Sequence, residues 1–257
     1  MLRAAVATAS ALLVLFIVVP LVALYAHLTP ARFAATIATP AALDALRISL
    51  LTTAASLALT LLLGTPLAYA LARARFAGRA AVDAVVDLPI VVPPAVAGLA
   101  LLFVFGRAGL LGPALGAAHV RIAFTTFAVV LAQTFVGAPF YVRAARAGFT
   151  AVDITYEEAS ATLGMGPLRT FARVTVPLAL PALAGGAVLA WARALGEFGA
   201  TIMFAGNLQG VTQTLPLAVY LGLESGNLDL AASLAVVLVT VALVVAFGAR
   251  ALERRAA

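Results

Sequence analysis

The sequence predicts an all-α protein, a polytopic transmembrane helical bundle of about six spans with both termini on one side. Three observations predict it. Of 257 residues, 64% are hydrophobic and 10% are charged, where an ordinary soluble domain carries about 25% charged residues. The apolar residues come in separate runs, each long enough to supply the roughly 20 residues that a helix needs to cross a bilayer. Arginine is shared unequally between the connections that join those runs.

The expected spans are 5–26, 48–72, 84–106, 122–142, 178–204 and 229–249. The first lies in MLRAAVATASALLVLFIVVPLVALYAH, whose apolar run from Ala4 to Tyr25 exceeds the roughly 7 to 15 residues of a signal-peptide core and reads as an uncleaved span. The second, ISLLTTAASLALTLLLGTPLAYALA, carries Ser and Thr, which suit a helix packed on other helices better than one bathed in lipid. The third holds Pro89, Pro93 and Pro94, so it is expected to kink inside the bundle, where neighbours can satisfy the freed carbonyls. The remaining three are plain apolar runs. No connection is long enough for a second domain, so residues 1–257 are expected to form one membrane domain.

With the N-terminus inside, Arg3, Arg73, Arg75, Arg79, Arg143, Arg146, Arg169, Arg173, Arg250, Arg254 and Arg255 are cytoplasmic, and Arg32, Arg47, Arg107 and Arg121 are external. Eleven against four favours both termini inside. The net charge of +6 comes from arginine alone, because the chain has no lysine. In so apolar a chain that balance marks topology beside anionic headgroups, and membrane lipid rather than nucleic acid is the expected polyanionic neighbour. The absence of cysteine excludes disulfides, iron–sulfur clusters and thiolate zinc sites, and the two histidines, His27 and His119, are too isolated for a metal site. Without lysine there is no Walker-type phosphate loop. There is also no HExxH or GxSxG, which argues against an intramembrane hydrolase.

One cytoplasmic connection stands out: EEASATLGMGPLRTFARVTVP, from Glu157 to Pro177. Thr150 with Asp153, or Thr155 with Glu158, offers a capping arrangement for a helix start. Gly164 suits the left-handed position that ends a helix. Gly166 and Pro167 then open a second short helix through LRTFARV. Ile154, Ala159, Leu163, Leu168 and Phe171 are too many apolar residues for a solvated loop and too few for a span. Two readings are open on physics alone: an amphipathic hairpin resting on the membrane, or a knob that enters a groove on a cytoplasmic partner.

This segment resembles the signature loop of the integral membrane subunits of binding-protein-dependent ABC importers: Glu-Ala-Ala, three residues, Gly, nine residues, then Ile, any residue, Leu-Pro. Here the matching positions are Glu158, Ala159, Ser160, Gly164, Val174, Thr175, Val176 and Pro177, with Ser160, Val174 and Val176 as small or apolar departures. The stretches LPIVVPPAVAGLALLFVFGRAGLLG, Leu88 to Gly112, and ARALGEFGATIMFAGNLQGVTQTLPLAVY, Ala192 to Tyr220, look like the sulfate, molybdate and tungstate branch of these permeases. The similarity covers about residues 45 to 250, and the compact length is most like a molybdate permease subunit.

The resemblance implies a MetI-like permease fold and a subunit of the cell inner membrane without an ATPase site of its own. It further implies a second copy of the chain and two cytoplasmic subunits that bind ATP and Mg. A periplasmic or lipid-anchored binding protein would bring the anion, with molybdate first and sulfate, thiosulfate or tungstate as alternatives; an ATP-independent secondary transporter is the remote one. The segment about 150–176, with Glu157, Glu158, Ala159, Ser160, Gly164 and Pro167, would then be the coupling element seated in the ATPase.

Pathway or gate candidates lie farther along. Arg193 and Glu197 are one helical turn apart, and intramembrane charges are functional candidates. They could lock the fifth span to its neighbours, stand at a water-lined gate where the helix unwinds near Gly196 and Gly199, or meet the passing oxyanion. A divalent anion would be drawn to the arginine and opposed by the glutamate. Gly185, Gly186, Gly196 and Gly199 could let helices approach closely. Thr212, Gln213 and Thr214, with Pro216, sit in the last external loop and are either a re-entrant cap on the pathway or ordinary loop.

Overall fold

A computed structural model describes the backbone of residues 2–256 and the side-chain surroundings of residues 2–248. The side chains of Arg250, Arg254 and Arg255, counted above as cytoplasmic, lie outside the described residues. The elements are helices: α1 (Leu2–Ala26), α2 (Pro30–Ile37), α3 (Pro40–Arg73), α4 (Arg79–Val91), α5 (Pro94–Phe105), α6 (Gly112–Ala117), α7 (Thr126–Ala151), α8 (Ile154–Thr162), α9 (Pro167–Thr170), a π-helical stretch (Phe171–Thr175), α10 (Val176–Leu195), α11 (Gly199–Ala205), α12 (Leu215–Glu224) and α13 (Leu228–Ala256). Five helical segments are long and apolar enough to cross a membrane, six if α4 and α5 count as one broken span.

The centre is α7, which packs along α3 on one side and α10 on another. Lipid offers helices no hydrophobic reason to associate, so the contact depends on close fit of small side chains. A Cβ placed on Gly148 of α7 would stand 2.5 Å from Ala182 Cβ, and one on Gly186 of α10 would stand 2.7 Å from Ala144 Cβ. The α7–α10 contact therefore has no room for a larger residue at either glycine. Along α3, the buried residues Ala45, Ser49, Thr52, Ser56, Thr60, Gly64, Ala68 and Leu71 fall three or four positions apart, one face of a helix. That face carries the hydroxyls noted in the sequence, and Ser56 Oγ accepts from Thr134 of α7 at 3.1 Å. By contrast α1 buries none of its described residues and touches α13, where the Tyr25 and Thr240 hydroxyls meet at 2.7 Å. Its exposed apolar surface is what a helix facing lipid presents.

Two expected spans are divided, the third at a pair of prolines and the fifth after Leu195. The third is not kinked but broken, its axis turning by 116° between α4 and α5. A residue before proline is pushed out of the helical region. Val92 and Pro93 each precede a proline and are extended, with ψ of 128° and 134°. Pro89 is absorbed within α4.

The fifth span begins earlier than expected. The short helix expected through LRTFARV runs without interruption into it, giving a continuous stretch from Pro167 to Leu195. Pro177 has no amide to donate, and in a regular α-helix its ring meets the carbonyl four residues back. Immediately before it, Val176 N–H reaches back to Phe171 O in a π turn. The stretch then ends at Leu195, and Gly199–Ala205 is a separate helix rather than the end of a span reaching 204.

Candidate functional site

The ends of α3 and α7 converge with α8 at one end of the bundle, where Arg73 Nη2 donates to Val152 O at 2.8 Å. Here the expected helix–turn–helix is present, with one change at its start. Asp153 caps α8 by accepting from Thr155 N at 2.9 Å, and the same backbone hydrogen bond holds its carboxyl below the usual carboxylate range. Thr150 is not a cap; its hydroxyl donates back to Arg146 O at 2.8 Å within α7. Asp153 stands immediately before the first helical residue, where a side-chain oxygen reaches the amide of the second.

Gly164 has φ of +82°, and Met165 N–H reaches Ser160 O at 3.1 Å, which closes α8 as a Schellman turn. Gly166 then leads into Pro167 at the first position of α9. The two arms are locked by a buried contact between the Ser160 and Thr170 hydroxyls at 2.8 Å. Ser160 is one of the departures from the signature, and it places a hydrogen bond where alanine has none.

Glu158, Ala159, Gly164 and Pro167 are exposed, as are Leu163 and Leu168, each 81% accessible. The segment thus presents two bare leucines and a carboxylate on one outward turn. Glu157 is turned the other way, with only 15% of its side chain accessible. Its Oε1 accepts from Arg73 Nη2 at 2.9 Å, Arg73 Nε at 3.1 Å and Thr175 Oγ1 at 3.0 Å, and its Oε2 accepts from the Tyr69 hydroxyl at 3.2 Å. Sequence reading missed Tyr69, gave Thr175 no role beyond the free position of the signature, and took Arg73 for a topology anchor. Arg73 and Glu157 are 84 positions apart, and no local spacing joins them.

The pathway candidates divide. Arg193 and Glu197 are paired at 2.8 Å, but Glu197 lies beyond the end of α10, so the pair is not intrahelical as expected. Glu197 is 1% exposed and Arg193 29%; the other carboxylate oxygen, Oε1, accepts from Ala200 N at 2.7 Å at the start of α11. One side chain therefore spans the break and satisfies both sides of it. Close by, a Cβ on Gly199 would stand 2.8 Å from Pro94 Cβ, and one on Gly98 would stand 2.5 Å from Ala200 O. The break after α10 is packed directly on the break before α5. Gly186 makes the close approach already described, whereas Gly196 faces only its own helix, with Ala192 O 3.8 Å from a Cβ built there.

Thr212, Gln213 and Thr214 are buried, at 0%, 3% and 1% exposure. The loop that holds them folds inward. Thr212 Oγ1 accepts from Leu208 N at 2.9 Å, Gln213 Nε2 donates to Asn207 Oδ1 at 2.9 Å, and Leu215 N donates to Ser49 Oγ of α3 at 2.7 Å. Thr126 of α7 donates to Val211 O at 2.8 Å. Among the described residues Thr214 Oγ1, Thr201 Oγ1 and Gln133 Oε1 are buried without a partner.

The family of binding-protein-dependent transport system inner membrane components matches residues 60–257. A molybdenum transport system permease protein ModB of Mycobacterium tuberculosis is 47% identical over 235 residues, 91% of this chain and 89% of that protein. The ModB of Escherichia coli strain K12 is 39% identical over 203 residues, 78% of this chain and 89% of its own length. A molybdate/tungstate permease protein WtpB of Pyrococcus abyssi is 39% identical over 195 residues, 75% of this chain and 73% of its own length.

Among solved structures, a bacterial ABC transporter involved in the import of alginate superposes with a TM-score of 0.79 at 18% identity, covering 99% of this chain and 95% of that one. The inward-facing MetNI methionine ABC transporter gives 0.60 at 20% identity, covering 84% and 95%. The chain belongs to the family of binding-protein-dependent transport system inner membrane components, and its fold is that of an ABC importer permease.

Proposed function

We propose that this chain is the permease through which an ABC importer moves molybdate across the inner membrane, working as a pair of identical chains above two ATP-hydrolysing subunits. The single observation that carries the substrate is the 47% identity, over nine-tenths of the chain, to a permease named for molybdenum transport. Tungstate stands next, because the Pyrococcus abyssi relative is named for both anions; sulfate and thiosulfate come after.

The coupling role rests on the outward turn of α8 and α9. Leu163 and Leu168 stand bare beside Glu158 at the end of the bundle that gathers Arg73, Arg75, Arg79, Arg169 and Arg173. Apolar side chains in that position gain from a groove on a partner, and the arginine excess sets that end in the cytoplasm. ATP binding closes the partner pair, the two turns are drawn together, and the bundle passes from inward-open to outward-open. Such alternation requires partners that bind the two states unequally. A binding protein on the outer side supplies the anion. The whole chain serves as one membrane domain.

Within the bundle, Arg193 and Glu197 brace the joint between α10 and α11 in preference to binding the anion, since the glutamate already occupies the arginine and would repel an oxyanion. Gly199 lies in that joint, and Thr212, Gln213 and Thr214 form the inward cap at the outer end.

The test is uptake of labelled molybdate by cells that lack their own permease and express this chain with its ATPase and binding protein. ATP-dependent accumulation, competed by tungstate more strongly than by sulfate, is expected. Competition led by sulfate would move the substrate, and uptake that persists after ATP depletion would return the secondary-transporter reading.

A further inference from the structure

Glu157 and Glu158 are adjacent in sequence and opposite in surroundings. Glu158 is exposed on the outward turn. Glu157 gathers the end of α3 through Tyr69 and Arg73, the end of α7 through the hydrogen bond that Arg73 also donates to Val152 O, and the π-helical stretch through Thr175. The Tyr69 ring packs edge-on against Phe149 of α7 at 5.6 Å and Phe171 at 4.8 Å, so the hub sits on the apolar core of that end. Helix α8 has nine residues and packs chiefly on α9 and the π-helical stretch. A helix that short does not hold itself in water. Without a firm tie, a push on its outer face would be spent on bending the segment.

We propose that Glu157 is a positioning residue: it ties the coupling helix to α3, α7 and the start of α10, so that displacement of the exposed turn reaches the spanning helices, and the ATPase does not contact it. Charge-assisted hydrogen bonds suit this role because they are short, directional and stronger than neutral ones, and a partly buried pair is little screened by salt. The proposal rests on the docking role assigned above to the α8–α9 turn.

The test uses the complete transporter in membrane vesicles. Because the natural chain has no cysteine, Leu163→Cys provides a single thiol on the outward turn for cross-linking to the ATPase subunit. Glu157→Gln keeps the shape and removes the charge. Expected is retained cross-linking and retained ATP hydrolysis, with anions imported per ATP hydrolysed lowered roughly tenfold, the worth of one charged hydrogen bond. Glu157→Asp keeps the charge and should recover part of that ratio.

An unchanged ratio in Glu157→Gln would overturn the proposal, and so would loss of the cross-link in that variant, which would make Glu157 part of the docking surface. Absence of the cross-link with Glu157 intact would instead overturn the docking role itself. If Glu157→Gln does not insert, Thr175→Val removes one donor to the same carboxylate, and an unchanged ratio there overturns the proposal equally.

Discussion

Two connections of this bundle are built in opposite senses. The α8–α9 turn turns leucines outward and a carboxylate inward, while the loop between α11 and α12 turns its threonines and glutamine inward and leaves Leu208 and Val211 at its rim. The first is stiffened from behind by Glu157 and by the Ser160–Thr170 contact. The second is pinned from the front, by Ser49 of α3 and Thr126 of α7. An exposed apolar turn on a rigid base can be gripped and moved by another protein. A buried polar loop hydrogen-bonded to the central helices can move only when they do.

The comparison can be broken at several points. The largest effect on stability is expected at the joint beside the inward loop. Glu197→Ala would leave Arg193 without its partner and Ala200 N without its acceptor. Stranding that buried amide costs about 1–3 kcal/mol, loss of the ion pair to the part-exposed Arg193 adds to it, and thermal unfolding in detergent should show a lowered midpoint and poor recovery from the membrane.

Next is Ser49→Ala, which strands the buried Leu215 amide at a cost of about 1–3 kcal/mol. The same thermal measurement should show a smaller drop, with uptake lowered because the inward loop is freed. Gly164→Trp should act in the opposite pattern. Nothing stands within 4 Å of a Cβ built there, but φ is +82°, so a side chain costs about 1–2 kcal/mol of backbone strain. The indole would project from the exposed turn. Uptake should fall far more than stability does, and an equal fall in both would erase the distinction between the two connections.

How far the sequence could be read follows the same division. Glycine, proline and helix caps act over a few residues, and so the ends of α8 and the start of α9 at Gly164, Gly166 and Pro167 were legible, although Asp153 and not a threonine supplies the cap. Five of the six apolar runs were legible as helical segments long and apolar enough to cross a membrane, because hydropathy is additive along the chain. The 116° turn at Val92–Pro93 was not, since prolines announce a distortion but not its angle. Nor was the inward face of Glu157, whose partners stand 88, 84 and 18 positions away. The Arg193–Glu197 spacing announced a pair, but Gly196 ends the helix between them and changes an intrahelical pair into a brace across a gap.

The central claim is that the exposed turn transmits another protein's ATP cycle to these helices. Glu158→Lys tests it most directly, because that side chain is exposed and substitution there disturbs no hydrogen bond within the described residues. The measurement is ATP-driven molybdate uptake by the full complex in membrane vesicles, read beside the amount of inserted chain. Uptake should be lost while insertion stays at the level of the natural chain. Uptake at the natural rate in the Glu158→Lys transporter would contradict the account.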